Sequence, residues 1–563
     1  MKEFVAEIIK IIREKHPDKQ TLSNIKTKLA KKHKLKSIPT DIQIYLYASK
    51  EEIPEIKKYL ITKPIRTIAG VSICAIMTEP YPCPHAIKGV GPCTMCPGGP
   101  GSVFGDVPMA YTGKEPATRR AIRNNYDPYL QVMNRLEQYT VQGHLPDKLE
   151  VIVMGGTFPA TPKKYQEYFI TNTFKAMNDF SRLFFKKHEL DLERFKKYFE
   201  LPGDIYNKER LVRVHEKLLK LKGDSKLEVE QKKNEKSDIR CVSLVIETRP
   251  DFGMIRQGND LLRLGCTKIE LGIQTIYDEC LTAIKRDHDV AASIKSIKTL
   301  KDLGFKLNFH MMLGLPESSM EKDLKSLQSL FTMEEFQPDM LKLYPCMVLR
   351  GTELYKDWQV GKFKPMSTNE AAEVIAEFKR SVPEYCRIMR VQRDIPTYMT
   401  EAGVDKTNLR QYVEKIVNEK GIKCRCIRCR EPKSHQISGK VELMVKSYKA
   451  SDGSEFFISA DDVKNDFILG FARLRFPSQS LRKEITKDSA LIRELHVYGE
   501  AIQIGKEGRV QHKGIGKSLM KKAEEIAKEN GKTKMVVISG IGAREYFRKL
   551  GYKKEGPYMV KKL

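Results

Sequence analysis

The chain has 563 residues, enough for about three or four domains, and 41% of them are hydrophobic, which excludes a wholly disordered protein. No apolar run reaches the roughly 18 residues that a membrane span needs, and the N-terminus lacks the features of a signal peptide. We therefore expect a cytoplasmic protein without a membrane partner. Lys and Arg number 100 against 72 acidic residues, and the resulting charge of +28 favours a nucleic-acid partner over a merely solvated basic surface.

Residues 1–65 contain short, lysine-rich helical patterns. Such a pattern fits either a solvated helical face or an arm that binds RNA, and the local sequence does not separate the two.

From residue 66 to residue 400, apolar runs of strand length alternate with helix-length segments, such as the amphipathic residues 289–303. Repeated strand–helix units predict an α/β fold in which a parallel sheet closes partly or fully into a barrel. The predicted strands are residues 148–154, 240–246, 268–273, 305–313 and 340–344.

Three further stretches complete the predicted organisation. Residues 186–238 are highly charged, and we expect a helical insertion in the barrel with a flexible, exposed end. Residues 401–438 form a polar, basic connector. Residues 439–563 begin with strand-like runs and continue as helix, strand, helix and strand, which predicts a separate α+β domain.

Six of the twelve cysteines form two tight groups, and clustered cysteines in a cytoplasmic chain indicate metal rather than disulfides. The other six lie singly among apolar neighbours, as small core residues do: Cys74, Cys241, Cys266, Cys280, Cys346 and Cys386.

The first group lies in the Gly/Pro-rich loop CPHAIKGVGPCTMCPGG, as Cys83, Cys93 and Cys96. Three thiolates can hold three irons of a cubane iron–sulfur cluster and leave the fourth iron open for a substrate. A structural zinc site with His85 as fourth ligand is the alternative. The barrel pattern that follows favours the cluster.

Polar residues and glycines follow successive predicted strands, at the end where barrels place their ligand sites. The segment MGGTFP contributes Gly155, Gly156 and Thr157, and Glu247 and Gln274 end two later strands. Singly each is weak evidence, because a glycine after a strand is more often only a turn. Together they indicate a site for a nucleoside-like ligand.

A glycine-rich turn precedes the long helix of the C-terminal region. Gln511, Gly514 and Gly516 leave backbone N–H groups free at the helix N-terminus, where they can bind a pyrophosphate, and Lys513 and Lys517 add positive charge. An ordinary capped helix is the alternative.

The second cysteine group, KCRCIRC, comprises Cys424, Cys426 and Cys429. Three thiolates within six residues fit a structural zinc site, and a chance cluster is the alternative. The sequence leaves the fourth ligand open among His435, Cys346 and Cys386.

The motifs CPHAIKGVGPCTMCPGG, YTGKEP, IRNNYDP, MGGTFP, IETRPD, LGIQT and RDIP resemble the catalytic subunit of Elongator over residues 66–563. This resemblance implies a radical S-adenosylmethionine (SAM) barrel followed by an acetyltransferase (GNAT) domain. It implies a 4Fe–4S cluster on Cys83, Cys93 and Cys96, and SAM contacts from the strand-end residues. The nine-residue gap after Cys83 is wider than in most radical enzymes but agrees with Elongator, whereas Thr157 stands where many radical enzymes have Glu.

The resemblance also implies an acetyl-CoA site in the C-terminal domain. Phe547 lacks the hydroxyl that the family often has at its position. By position the site comprises Lys148 from the barrel and Glu494, Leu495, His496, Val497, Gln511, Lys513, Gly514, Ile515, Gly516, Lys517, Tyr546 and Phe547. Glu494 could act as a general base or could be a salt-bridged strand residue.

The function that the resemblance implies is formation of a carboxymethyl group at carbon 5 of the wobble uridine of tRNA. A deoxyadenosyl radical from SAM would take a hydrogen from the methyl group of acetyl-CoA, with the two sites facing one cleft that admits the anticodon stem-loop. The partners would include an electron donor and either a second copy of the chain or accessory subunits. The alternatives are a protein lysine acetyltransferase with a structural cluster and a non-catalytic tRNA-binding scaffold.

Overall fold

A computed structural model describes residues 1–60, 70–204, 207–432, 440–498 and 514–563. None of the described helices has the length and low charge that a membrane span requires. The N-terminal 60 residues form a small helical unit in which Phe4, Ile8 and Ile44 are fully buried. Its helices are α1 (Lys2–Lys15), α2 (Lys19–Lys32), α3 (Asp41–Tyr47) and α4 (Ile53–Leu60).

The central region is an α/β domain. Its strands are β1 (Ser72–Met77), β2 (Gly99–Ser102), β3 (Gly105–Val107), β4 (Lys148–Met154), β5 (Phe185–Lys186), β6 (Glu189–Leu190), β7 (Arg240–Thr248), β8 (Lys268–Gln274), β9 (Lys306–Leu313), β10 (Met340–Pro345), β11 (Val348–Leu349), β12 (Arg387–Arg390) and β13 (Thr400–Ala402).

The helices of this region cover the outside of the sheet and form the connector. They are α5 (Pro84–Ile87), α6 (Pro116–Arg123), α7 (Pro128–Val141), α8 (Lys163–Phe184), α9 (Leu192–Tyr198), α10 (Lys208–Lys222), α11 (Leu227–Asn234), α12 (Ile255–Leu264), α13 (Asp278–Ala283), α14 (Val290–Asp302), α15 (Met320–Thr332), α16 (Glu353–Gln359), α17 (Thr368–Phe378), α18 (Leu409–Glu419) and α19 (Ile427–Arg430).

Seven parallel strands, in the order β1-β4-β7-β8-β9-β10-β12, curl into a half-barrel, which confirms the predicted fold class. All five predicted barrel strands are present with small shifts of their ends. Alternate residues of each strand have different surroundings. In β9, for example, Leu307 and Phe309 pack in the apolar core, whereas Asn308 and His310 bond to Glu270 of the neighbouring strand. The lumen of the half-barrel is therefore lined by polar side chains.

The charged insertion differs from the prediction at its end. Residues 227–234 form helix α11 instead of an exposed, flexible segment, and its Asn234 is fully buried. Asn234 bonds the side chain of Asn178 and the carbonyl of Ile239. The sequence is misleading because the charged side chains of α11 find partners: Glu230, for instance, bonds both Lys233 and Asn178.

The C-terminal domain is an α+β unit built on a seven-stranded sheet with the order β14-β15-β16-β17-β18-β20-β19. Strand β17 pairs antiparallel with β16 as far as its last residue, Val497. Its parallel pairing with β18 covers only its first half. Its elements are β14 (Val441–Ala450), β15 (Gly453–Asp462), β16 (Phe467–Phe476), β17 (Ser489–Val497), α20 (Ile515–Glu529), β18 (Lys534–Val537), α21 (Arg544–Lys549), β19 (Lys553–Glu555) and β20 (Tyr558–Lys562).

Buried ion pairs attach this domain to the amino ends of the barrel strands. Arg493 of β17 donates to both carboxylate oxygens of Asp339, which immediately precedes β10, at 2.6 and 2.8 Å. Arg475 of β16 donates to Asp302 at the end of α14, and both arginines also reach Glu455. All five side chains are at most 1% exposed. Because unpaired charges at such depth are very unfavourable, the network fixes how the two domains meet.

The substitution Asp339→Asn should lower stability by about 3–5 kcal/mol at pH 7, because Arg493 keeps only one of its two charged partners, Glu455, in a fully buried site. Burial favours the protonated acid, but Arg493 and Arg473 hold the pKa of Asp339 far below its usual value of 3.8. Its contribution is therefore complete above pH 3.8 and is lost as the pH falls further. Thermal unfolding at neutral pH and at pH values from 5 downward measures the difference in stability between the wild type and Asp339→Asn. This difference should become smaller in acid.

The exposed ion pair of Lys163 and Asp260 provides the control, and Asp260→Asn should change stability by less than about 1 kcal/mol. Equal effects of the two substitutions would contradict the importance of the buried network.

Candidate active sites

The first cysteine group lies at the carboxyl ends of the barrel strands, in the loop that follows β1. Cys83 begins helix α5, and the N–H of Cys96 bonds the carbonyl of Cys93 at 2.8 Å. Backbone bonds from Thr94 to Ile284 and from Leu354 to Thr94 hold this loop against the segments after β8 and β10. Cys83 and Cys93 are buried.

The loop geometry separates the two alternatives for this group. In the described chain, several groups of three possible ligand atoms lie within 4.8 Å of one another. The sulfurs of Cys83, Cys93 and Cys96 do not form such a group, so they are spread more widely. A single zinc ion needs its ligands that close together, whereas a cubane cluster spreads its thiolates over separate irons. The predicted fourth zinc ligand, His85, faces Arg249 with Nδ1 and lies 3.9 Å from Cys93 with Nε2. The donor set therefore fits a cluster and not a zinc ion.

Two arginines face the thiols, and the sequence reasoning missed both. Arg249 approaches Cys83 at 4.0 Å, and Arg286 approaches Cys93 at 3.6 Å. Burial and the two neighbouring thiols raise the pKa of Cys96 to about 12, so binding of a metal by this thiol would have to displace a proton at neutral pH. The guanidinium groups would offset the negative charge of a cluster bound by these thiolates. The signal for Arg249 was its place in the motif IETRPD.

The predicted SAM residues lie around the same opening. Gly155 and Gly156 both have a positive φ, of 121° and 99°. A Cβ atom on Gly155 would lie 2.2 Å from the hydroxyl of Thr78, and one on Gly156 would lie 3.2 Å from Met109. These glycines therefore allow two loops of the protein to pack closely, and this packing requires glycine whether or not a ligand binds nearby. Thr157 is the next residue in the chain after these two glycines.

Glu247 is the penultimate residue of β7 and lies in the lumen, near the polar residues Glu270 and His310. The hydroxyl of Tyr111 donates to it at 3.2 Å, and its carboxylate lies within 4.8 Å of ligand atoms of Glu270 and His310. Burial raises the pKa of Glu247 to about 7. The predicted Gln274 ends β8 in the left-handed conformation, with φ of 73°.

The middle layer itself was not predicted. Glu270 accepts bonds from Asn308 at 3.1 Å and from His310 at 2.9 Å, and it is also ion-paired with Lys342. Burial alone would raise the pKa of Glu270, but Lys342 and His310 hold it well below 4.5, so Glu270 is ionised while Glu247 is near its midpoint at neutral pH. Two neighbouring carboxyl groups thus have different protonation states.

Seven of the residues predicted to bind acetyl-CoA line a cavity of about 1010 Å³ between the C-terminal domain and the amino ends of the barrel strands. The cavity continues into the lumen as far as Glu150, Lys268 and Lys306. The predicted residues that line it are Lys148, Glu494, Leu495, His496, Val497, Tyr546 and Phe547.

The predicted pyrophosphate turn is described only from Gly514 onward, and Gln511 and Lys513 lie outside the described residues. Gly514 has φ of 85° and begins helix α20 without a side-chain cap, so no side chain of its N-cap residue occupies the first-turn N–H groups. Ile515, Gly516 and Lys517 form that turn. A Cβ atom on Gly516 would lie 2.7 Å from the hydroxyl of Tyr546, so this glycine also lets α20 approach α21.

Glu494 has the second of its two proposed roles. Lys306 donates to one carboxylate oxygen at 2.6 Å and Arg473 to the other at 2.8 Å. Burial opposes ionisation, but these two cations lower the pKa of Glu494 to about 2. A permanently ionised, doubly paired carboxylate is a poor general base, so the structure favours a salt bridge between the domains over the catalytic assignment.

The two sets of predicted residues therefore lie at opposite ends of the parallel strands, and the cleft that we expected between them corresponds to the lumen of the half-barrel. Strand β8 has seven residues, which corresponds to a length of about 20 Å. The polar lumen connects the acetyl-CoA cavity at the amino ends with the cysteine loop at the carboxyl ends.

The second cysteine group forms a compact set of ligands. The sulfurs of Cys424, Cys426 and Cys429 lie within 4.8 Å of one another. Of the three candidate fourth ligands, Cys346 packs beside the first cysteine loop and Cys386 is not part of the set, while His435 lies outside the described residues.

Four family models match successive parts of the chain: the ELP3 N-terminal domain (residues 1–68), the Radical SAM superfamily (90–329), the Radical_SAM C-terminal domain (338–419) and the Acetyltransferase (GNAT) family (426–552). A tRNA uridine(34) acetyltransferase from Methanocaldococcus infernus is 43% identical, over 100% of this chain and 99% of its own. The chain belongs to the Elongator complex protein 3 family.

More distant and structural comparisons agree with this assignment. Elongator complex protein 3 of Homo sapiens is 37% identical, over 99% of this chain and 96% of its own. The solved structure of the archaeal Methanocaldococcus infernus Elp3 with residues 1–46 deleted has a TM-score of 0.70 and 40% identity, and it covers 88% of this chain and 100% of its own. The predicted radical SAM and GNAT domains are thus confirmed, and the radical SAM domain implies a 4Fe–4S cluster and SAM, as the GNAT domain implies acetyl-CoA.

The substitution Glu247→Gln should stabilise the protein more at pH 8 than at pH 5. The pKa of about 7 in the folded protein lies above the ordinary value of 4.5, so the native state favours the protonated acid. Ionisation of Glu247 therefore reduces stability progressively as the pH rises from 4.5 through 7, and a glutamine does not ionise. The thermal midpoints of both proteins at pH 5 and pH 8 measure this.

The exposed Glu279 provides the matched control, since Glu279→Gln should show no such dependence on pH. If the thermal midpoints of Glu247→Gln and the wild type differ by the same amount at pH 5 and pH 8, the assignment of a raised pKa to Glu247 is contradicted.

Proposed function

We propose that this enzyme forms a carboxymethyl group at carbon 5 of the wobble uridine of tRNA, with SAM radical chemistry and with acetyl-CoA as the source of the two carbons. The observation that carries the proposal is the lumen. One chain places a three-cysteine loop at one end of it and an acetyl-CoA cavity at the other. The name of the 43% identical relative, tRNA uridine(34) acetyltransferase, supports the same substrate.

At the carboxyl end, Cys83, Cys93 and Cys96 would ligate the 4Fe–4S cluster. When bound, the cluster supplies the electron for reductive cleavage of SAM. Arg249 and Arg286 face these sulfurs and would balance their negative charge. The residues that would hold SAM beside the cluster are Gly155, Gly156, Thr157, Glu247 and Gln274.

At the amino end, the first-turn N–H groups of α20 at Ile515, Gly516 and Lys517 would bind the pyrophosphate of acetyl-CoA. Among the described residues, β17 pairs with β18 only as far as Ile492. The later residues Leu495, His496 and Val497 line the cavity, where the pantetheine arm would lie against them. The acyl end would then point toward the lumen, between Lys148 and His496, both of which line the cavity.

Between the two ends, the protein controls charge and water. The layer of Glu270, Asn308, His310 and Lys342 is held together by hydrogen bonds and an ion pair of Glu270, and it would limit the entry of solvent into the lumen. Glu247, with a pKa of about 7, can take or give a proton at neutral pH. Exclusion of water protects reactive intermediates from side reactions.

The second cysteine group would hold a structural zinc ion. Three thiolates with mutual distances below 4.8 Å match the ligands of such sites, and Lys379, 3.5 Å from Cys429, would offset their charge. Because Cys424 and Cys429 also line the acetyl-CoA cavity, the zinc would fix one of its walls.

The charge of +28 and the lysine-rich N-terminal helices support binding of the tRNA anticodon stem-loop. All twelve cysteines are free, as is usual in the reducing cytoplasm. An external electron donor and accessory subunits would complete the system.

Anaerobic reconstitution with SAM, a reductant, tRNA and acetyl-CoA labelled in its acetyl group tests the function. We expect labelled 5-carboxymethyluridine in the nucleoside digest, and none with Cys93→Ala. Deoxyadenosine and free CoA without labelled nucleoside would contradict the proposal. Label on protein lysines without SAM would favour protein acetylation, which the ion-paired Glu494 does not support.

Metal analysis tests the two cysteine groups separately. Reconstituted wild type should contain about four irons and one zinc per chain. Cys93→Ala should lose iron and retain zinc, and Cys426→Ala should do the reverse. Loss of both metals in either variant would show that the two sites are not independent.

A further inference from the structure

The chain between Cys83 and Cys93 forms an exposed loop on the outside of the cysteine site. We call residues 87–92 the outer loop, and all of them except the half-buried Gly91 are exposed. Ile87 is 71% exposed and Val90 is 40% exposed, so two apolar side chains face solvent within one short segment. A Cβ atom built on Gly89 or Gly91 would have no neighbour within 4 Å. The surface around these two glycines is therefore open.

A short path of contacting groups leads from the outer loop to the cysteine sulfurs. The N–H of Val90 bonds the carbonyl of His85 at 3.0 Å, and the N–H of Ile87 bonds the carbonyl of Cys83 at 3.0 Å. The imidazole of His85 is buried, and its Nε2 lies 3.9 Å from the sulfur of Cys93. Because electron transfer through protein slows steeply with distance, this side of the cysteine site is well suited to receive an electron.

The side of the cysteine loop that faces the barrel is covered by protein. Cys93 and Met95 pack in an apolar cluster with Leu315 and Leu354, which come from the segments after β9 and β10. A protein partner could approach the sulfurs from that side only by opening this cluster. The outer loop, by contrast, offers an exposed surface next to two of the three cysteines.

The charges around the outer loop favour an acidic partner. Lys88 is paired with Asp287 at 3.1 Å, and Lys285 is paired with Glu353 at 2.7 Å. Both lysines are about half exposed, and such exposed pairs contribute little to stability, so each lysine can also pair with a carboxylate of a partner. The charge of +28 attracts acidic proteins from a longer distance. An apolar centre with a charged rim is typical of a protein interface.

We propose that the outer loop is the docking surface of the external electron donor, an acidic one-electron redox protein. Ile87 and Val90 would contact apolar residues around the cofactor of the donor, and Lys88 and Lys285 would pair with its carboxylates. The reduced donor loses one electron, the oxidised cluster gains it, and no covalent bond forms or breaks. Encounters of this kind bury less than about 1,200 Å² and are weak, so the donor can leave after each transfer. The inference rests on the proposed function only for the presence of a redox-active cluster at the three cysteines.

Transfer RNA is the other partner that a basic surface could attract. The outer loop carries one charged residue, Lys88, among its six residues, and its other exposed side chains are apolar. Binding to an RNA backbone depends on several cations that each neutralise a phosphate, and apolar side chains do not contribute to it. The composition of the outer loop therefore favours a protein partner.

Stopped-flow mixing of the reconstituted full chain with flavodoxin hydroquinone, under anaerobic conditions, tests this inference. Flavodoxin is an acidic one-electron donor, and the blue semiquinone that it forms reports the transfer directly. The second-order rate constant should fall as salt is added. Lys88→Glu and Ile87→Glu should each lower it by roughly tenfold or more at low salt, because each puts a negative charge into the contact. Anisotropy of labelled, oxidised flavodoxin should show weaker binding by the same two variants.

The matched control is Lys521→Glu, which makes the same change of charge on an exposed position of α20 and should accept electrons like the wild type. Dithionite, a small reductant that needs no docking surface, should reduce all variants at the same rate. If Lys88→Glu disturbs the cluster site through Asp287, slower reduction by dithionite will show it, and Ile87→Glu then decides. The assay contains neither tRNA nor acetyl-CoA, so a failure of the carboxymethylation reaction would not affect its result.

A rate constant with flavodoxin that Ile87→Glu and Lys88→Glu leave unchanged, or lower no more than Lys521→Glu does, would overturn the proposal. Weaker binding of tRNA by the two variants, with unchanged electron transfer from flavodoxin, would assign the outer loop to RNA and would overturn it as well.

Discussion

The arrangement of the two active sites depends on the buried ion network between the barrel and the C-terminal domain. Arg493 can satisfy its guanidinium only where Asp339 precedes β10 and where the carbonyl of Phe305 precedes β9. These groups belong to the amino ends of adjacent barrel strands, so the C-terminal sheet can attach at that end and in one orientation. A sliding movement of the domain would leave charges buried without partners, which is a far larger cost than the loss of apolar contacts alone.

This attachment aligns the acetyl-CoA cavity with the lumen. Lys306 begins β9 and bonds Glu494 of β17, so a lumen residue and a residue of the acetyl-CoA strand share one ion pair. The same strand thus contributes to the inter-domain contact, to the cavity wall and, through His310, to the layer around Glu270. A shift of β9 would therefore move residues of the cavity wall and residues of the charged layer in the lumen together.

The sequence predicted the architecture well because its strongest signals are local. Apolar runs located the five central barrel strands, and a glycine before a helix located the start of α20. The short edge strands β1 and β12, of six and four residues, carry too few alternating positions to be recognised in this way. The end of the insertion was mispredicted because partners for its charges, such as Asn178, come from distant parts of the chain.

The site residues also divide into those that local sequence signals reveal and those that only contacts between distant segments bring together. The cysteines and glycines lie in compact motifs, so their positions follow from one segment each. Glu270, His310 and Lys342 come from three strands, and each one alone looks like an isolated polar residue in an apolar run. Only the register of the parallel sheet, which pairs Lys342 with His310 and Glu270 with Asn308, brings them together.

The lumen also determines how the two half-sites are coupled. Two sites facing one open cleft would need a moving lid to exclude water, whereas sites at the two ends of a half-barrel face each other through its polar lumen. The intervening layer keeps Glu270 ionised beside Lys342 and leaves Glu247 near its midpoint at neutral pH. Charge can therefore be redistributed within the lumen by moving one proton. A half-barrel of parallel strands provides this separation directly, because its two ends are formed by different loops and face different domains.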